Sequence, residues 1–180
     1  MEACEQTAGL SVLEHGKMVN RYYTDIYEHL LEGKELVYDW RLPDWVYQYK
    51  EYISANLLDK AITDEYQLYH DCGKPYCLVV EDGKSHFPNH AATSYHTWIS
   101  AGGNLLAAEL MLADMDVHLM KDEQVVSFCK SENAVTLLLT ALAEIHANCG
   151  MFGGQESVSF KIKYKHLKRR GGAILRTLTG

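Results

Sequence analysis

His70 and Asp71 stand side by side, a nitrogen ligand next to an oxygen ligand, and Gly73, Lys74 and Pro75 turn the chain immediately after them. A neutral imidazole and an adjacent carboxylate can bind one divalent cation, and the carboxylate can bridge to a second. Lys74, beside both, could meet the negative charge of a phosphate without joining the metal. A bare His-Asp pair is common, and taken alone it is more often a hydrogen-bonded helix end than a pair of ligands. The chain offers more of the same chemistry elsewhere: His15, His90, His118, Asp114 and Glu144 as candidate ligands, and His86, His96, Asp116, Ser159 and Lys161 as candidate substrate contacts. Such a set suits metal-assisted hydrolysis of a phosphoester, in which a cation binds phosphate oxygens and acidifies a water.

The order and spacing of these residues resemble the HD-domain phosphohydrolase superfamily. Ser11-Val12-Leu13-Glu14-His15 is similar to the family's first helix, where one His follows a short apolar run. His70-Asp71-Cys72-Gly73-Lys74-Pro75 resembles the signature His-Asp-x-Gly-Lys-Pro. Asp82-Gly83 through Phe87-Pro88-Asn89-His90 is similar to the segment in which an Asp-Gly loop leads to Phe-x-x-His, and Met115-Asp116-Val117-His118 fits the His of the following helix. The resemblance runs over about residues 11 to 148. It implies an all-α, HD-domain helical bundle and one or two divalent cations (Mn, Co, Ni, Zn, Fe or Mg) held by His15, His70, Asp71, His90 and His118, with Asp71 and Lys74 as catalytic groups. It further implies an activity among nucleotidase, nucleotide triphosphohydrolase, phosphodiesterase and nucleic-acid end-healing phosphoesterase. The family closes its site with an Asp in an Ala-Asp context, where this chain has Ala143-Glu144; Asp114 and Asp116 are the alternatives for that last ligand.

Several elements must position these groups. Apolar residues at helical spacing predict a long helix over residues 9 to 32, stopped by Gly33, with His15 facing inward. A second stripe runs from Trp45 to Leu58 behind Pro43, and Thr63-Asp64-Glu65 is the expected N-cap of the helix that delivers His70 and Asp71. Cys77 to Lys84 reads as a short β-hairpin or extended loop near the site, bent at Asp82-Gly83. Asn89 is expected to cap a helix from His90 to Ser100, broken by Gly102-Gly103. A helix over Leu105 to Met120 would put Asp114 and His118 on one face, and another over Ala134 to Asn148 has Glu144 as its only acid, a costly buried charge unless paired. Ser157 to Lys165 alternates apolar and polar residues, the pattern of an extended C-terminal segment that lines up Lys161, Lys163 and Lys165. The aromatic-rich block from Tyr38 to Tyr69 reads mainly as core, although some of its rings could stack a base.

With 180 residues and 47% hydrophobic content the chain can build one sizeable core, so a single domain over 1–180 is expected, its core at about 9–150 and a basic segment at 157–180. A formal charge of −7 argues against a protein that holds duplex nucleic acid by bulk electrostatics, although an acidic metal site accounts for part of that balance once cations bind. No apolar run has spanning length and Glu2 and Glu5 occupy the start, so no membrane partner and a cytoplasmic location are expected. The five cysteines are scattered and odd in number, which reads as reduced thiols, with Cys72 packed. The expected function is metal-dependent hydrolysis of a phosphoester of a nucleotide or of a polynucleotide end. The competing reading, favoured by the Glu at the last ligand position, is a non-catalytic nucleotide- or partner-binding module on a degenerate HD scaffold.

Overall fold

The first helix, α1 (Val12–Glu32), buries Val12, Val19, Tyr23, Ile26 and Leu30, a stripe repeating every three to seven residues, and ends at Gly33, whose φ of +73° is easy only for glycine. It starts later than its apolar pattern predicts. In the computed structural model, which describes every residue except Ala8, Leu10–Ser11 form strand β2, paired antiparallel with β1 (Glu5–Thr7). Ser11 Oγ accepts a hydrogen bond from the Glu14 amide at 3.1 Å, so a serine cap rather than the apolar spacing sets the helix start. The described chain is mostly helical with two two-stranded hairpins, and it divides into two compact units: Met1–Asn20 with Asp59–Met115, and Arg21–Leu58 with Asp116–Gly180. None of its helices is long and apolar enough to cross a membrane.

The first unit is built on α4 (Lys60–Tyr69), α5 (Lys74–Cys77), the hairpin β3 (Val79–Glu81) and β4 (Lys84–His86), α6 (His90–Ser100) and α7 (Leu105–Ala113). Asp59 caps α4, accepting from the Ala61 amide at 2.8 Å, so the helix begins ahead of the expected Thr63 cap; Thr63 is buried and donates its hydroxyl to the Lys60 carbonyl. Asp82 and Gly83, at φ +49° and +72°, make the hairpin turn as expected. Helix α6 has the expected bounds, but Asn89 sits in the left-handed region at φ +54° and makes no side-chain cap bond. Two glycines let backbones meet. A Cβ on Gly16 would lie 3.1 Å from the Gln67 carbonyl oxygen, and one on Gly73 would lie 2.6 Å from the Thr93 carbonyl carbon.

The second unit holds the rest of α1, then α2 (Trp45–Gln48), α3 (Lys50–Ala55), α8 (Asp116–Leu119), α9 (Val125–Phe128), α10 (Ala134–Ala147) and α11 (Val158–Thr179). Asp25 on α1 accepts from the Val37 and Tyr38 amides and the Trp40 indole at 2.8–3.1 Å, which fixes the loop after Gly33. Three expectations are corrected here. The 45–58 stripe is two short helices that meet at Tyr49. The 105–120 helix breaks at Asp114–Met115, so Asp114 and His118 do not share a helix face. The basic C-terminal segment is helical and not extended: Ser157 caps it by accepting from the Phe160 amide at 3.1 Å, and Phe160, Leu167, Gly171, Ile174 and Leu175 bury one helical stripe. Gly171 is needed there, since a Cβ would come within 2.6 Å of the Trp45 indole.

His146 on α10 is a buried histidine of this unit. Its Nδ1–H donates to the Leu142 carbonyl at 2.8 Å and its Nε2 accepts from the Arg41 amide at 3.1 Å, which fixes a neutral tautomer. Burial pushes its pKa below the usual 6.5. The unfolded chain therefore binds the extra proton more readily, and the stability this group contributes is lost as pH falls below about 6.5 toward the folded value. His146→Phe is expected to flatten the Tm profile between pH 7 and 5 measured by circular dichroism; an unchanged slope would assign it to other groups.

Candidate metal centre

The turn between α4 and α5 carries His70 and Asp71, with Gly73 at the N-cap position of α5 and Pro75 inside its first turn. Helix α1 brings His15, buried at the end of its first turn, and α6 brings His90 at its first position. Gly16 and Gly73 make both approaches possible, because each lies against backbone of the neighbouring element. The Gly73 amide also donates to Ser94 Oγ at 3.0 Å, and Cys72 Sγ donates to the Ser94 carbonyl at 3.5 Å. Burial pushes the Cys72 thiol up to about 11, so it packs as an inert neutral group, as its place in the sequence suggests.

His15, His70 and Asp71 are buried, and their ligand atoms all lie within 4.8 Å of one another. Asp71 Oδ2 is the hub: His70 Nε2 is 3.2 Å away, His15 Nε2 3.6 Å and Lys74 Nζ 2.6 Å. Metal–ligand bonds of about 2.0–2.2 Å give polyhedron edges of roughly 3.0–3.6 Å, so the nitrogen–oxygen separations suit a shared cation. The His70 Nδ1 lies 2.8 Å from the Gln67 carbonyl, and a carbonyl only accepts. Nδ1 therefore carries the proton and Nε2, on the Asp71 side, keeps its lone pair in the neutral ring, the orientation a ligating histidine needs.

His90 repeats that arrangement, with Nδ1 on the Phe87 carbonyl at 3.0 Å and Nε2 3.8 Å from Asp71 Oδ1. Asp71 Oδ1 is itself enclosed and accepts no hydrogen bond among the described residues. A buried carboxylate oxygen without a donor is costly, and a cation would satisfy it. Burial alone would raise the Asp71 pKa, but the positive charge of His70 when protonated, the Lys74 ammonium and protonated His15 hold it well below the usual carboxylate range. The carboxylate is thus kept in the charged form that a cation requires.

The remaining candidates are placed as follows. Asp114 is buried in the first unit and accepts from the Tyr66 phenol, outside the group of three. His118 Nε2 and Glu144 Oε2 belong to the second unit and bond to each other at 2.8 Å, so Glu144 is paired. Asp116, Ser159 and Lys161 are also in that unit and exposed; partial burial pushes the Asp116 carboxyl up. His86 and His96 are exposed, on β4 and α6.

Two more groups meet Lys74, of which Phe87 belongs to the Phe-x-x-His segment and Gln6 carries no sequence signal. Gln6 on β1 accepts from Lys74 Nζ at 2.8 Å, and the Phe87 ring centre lies 5.3 Å from the same ammonium. The Lys74–Gln6 contact spans most of a hundred residues and links a strand to a short helix, so no periodicity announces it. Comparison of the chain with known protein families, curated proteins and solved structures finds no match.

Proposed function

We propose that the first unit carries a divalent-metal centre of the HD type that hydrolyses a phosphoester of a nucleotide or of a polynucleotide end. The observation that supports this most is the convergence of buried His15, His70 and Asp71, three residues from two separate segments of chain, on one carboxylate oxygen. His90 Nε2, beside Asp71 Oδ1, is the natural fourth donor or a partner for a bound water. A divalent cation held by these residues binds phosphate oxygens and lowers the pKa of a water, so that hydroxide is available near neutral pH. Lys74 has three N–H donors; Asp71 and Gln6 take two, which leaves one for a phosphoryl oxygen. By holding Oδ2 at 2.6 Å, Lys74 also fixes the angle at which the carboxylate presents its second oxygen.

The test is to strip the purified protein with a chelator, reload it with Mn²⁺, Co²⁺, Ni²⁺, Zn²⁺ or Mg²⁺, and measure bound metal, Tm and phosphate release. Substrates would be phosphorylated nucleotides and end-phosphorylated oligonucleotides. At least one ion per chain is expected, with a gain of about 2.7 kcal/mol in stability at a hundredfold excess of metal over its Kd. Phosphate release should appear only in the loaded protein. Metal bound with no turnover on any substrate would leave the binding-module reading standing, and no bound metal would end both the centre and the activity.

A further inference from the structure

We propose that the outward face of α11 binds the phosphate backbone of a polynucleotide without reading its sequence. Seven of the chain's 17 Lys and Arg residues lie in this helix and none of its 24 Asp and Glu. On a chain whose formal charge is −7, the positive charge is therefore gathered on one element. At 100° per residue, Lys161, Lys165, Lys168, Arg169 and Arg176 fall within an arc of roughly 100° and extend over about 22 Å of helix. All five are exposed, and Arg176 Nη1 would lie 3.3 Å from a Cβ on Gly172, which keeps it on that face. Lys163 turns aside over the Phe152 ring, and Arg170 turns inward to the Val117 and His118 carbonyls, so neither adds to the strip.

Three of the five have exposed acidic partners: Lys161 with Glu156 at 2.6 Å, Lys168 with Asp44 at 2.8 Å and Arg169 with Asp122 at 2.6 Å. Exposed pairs of this kind contribute little and exchange readily for phosphate. Lys165 and Arg176 have no acidic partner among the described residues. The cations follow one side of the helix at axial intervals of roughly 1.5 to 10.5 Å, a strip along which successive phosphates of a backbone can be met. The strip carries no aromatic residue on which a base could stack, so backbone contact is the mode it supports. A lipid surface fits less well, because the apolar side of α11, with Phe160, Leu167, Ile174 and Leu175, is already buried in the protein.

The proposal stands independently of the metal centre, and its test keeps the two apart by working in EDTA. Binding of a labelled 30-nucleotide single strand and of a 30-base-pair duplex to the full chain would be followed by anisotropy between 50 and 200 mM salt. If all five cations engage, log Kd against log salt has a slope of magnitude roughly 3.5 for the single strand and 4.5 for the duplex. The triple variant Lys165→Gln/Arg169→Gln/Arg176→Gln should lower affinity at 50 mM salt by at least tenfold and reduce the single-strand slope by about 2. Asp44→Asn/Asp122→Asn, which removes competing acids, should tighten binding severalfold. Circular dichroism would confirm that these surface variants fold. Binding that the triple variant leaves intact, no binding at all, or equal capture by vesicles of phosphatidylserine and phosphatidylcholine lost in the same variant would each overturn the assignment.

Discussion

Asp71→Asn is expected to remove bound metal and to reduce phosphate release to the level of the chelated wild-type protein. The amide keeps the shape of the side chain but gives up the charge and one acceptor oxygen, and the carboxylate is the group that His15, His70 and Lys74 all face. The variant should also lose stability, for a separate reason. Lys74 and Asp71 form a buried pair, with side chains 8% and 2% exposed, and removing one partner strands the other charge at a cost of about 3–5 kcal/mol. The double variant Asp71→Asn/Lys74→Met should recover much of that stability without recovering metal. Metal content by elemental analysis and Tm by calorimetry separate the two effects. Full metal stoichiometry in Asp71→Asn would take Asp71 out of the ligand set.

Gly73→Ala is expected to destabilise the protein and weaken the centre although it touches no candidate ligand. Gly73 has φ −78°, a conformation alanine adopts freely, so the whole effect is steric. The added Cβ would meet the Thr93 carbonyl carbon at 2.6 Å and the Ser94 Cα at 2.9 Å, backbone atoms that cannot rotate away. Overpacking of this kind costs about 1–3 kcal/mol or more, or on the order of 10 °C in Tm for a unit of this size. Because α6 also carries His90, pushing it away from the His70–Asp71 turn should lower metal affinity together with Tm. Ser94→Ala supplies the control. It loses the hydrogen bond from the Gly73 amide, worth about 1 kcal/mol, but leaves the close approach intact. A Gly73→Ala variant no less stable than Ser94→Ala would show that the two segments have room to part.

The sequence made some of this legible. Helices α1, α6 and α10 end where expected because their apolar spacing is long and their stops are glycine or a loop of small residues, and Asp82-Gly83 marks its hairpin turn by the left-handed backbone it tolerates. The association of His15 with His70 and Asp71 followed from motif order, and the structure brings these three together. The misreading of α11 has a plain cause. Over Ser157–Lys165 a period of two and a helical period both fit, and the deciding residues, Leu167, Gly171, Ile174 and Leu175, come afterwards. The break at Asp114–Met115 has no glycine or proline to announce it, and the carboxylate there is bonded to Tyr66, a partner no local pattern reveals. The His118–Glu144 bond joins two helices across a long separation, so spacing suggested ligands where the fold supplies a pair.

The division of α1 and its neighbours between two units sets an order of events during synthesis on the ribosome. All the residues of the first unit have been made once Met115 is joined, including His15, His70, Asp71 and His90. Of the second unit only Arg21–Leu58, a little over a third of its residues, has then been made. Tyr23, Ile26 and Leu30 are in place, whereas α10 and α11 of the same unit have not been translated. For that interval a stretch of apolar surface on the latter half of α1 waits for its partners in solvent, the condition in which nascent chains associate with chaperones or with each other. A ribosome stalled after Met115 should therefore hold a chain that already contains His15, His70, Asp71 and His90 and is at its most prone to aggregate.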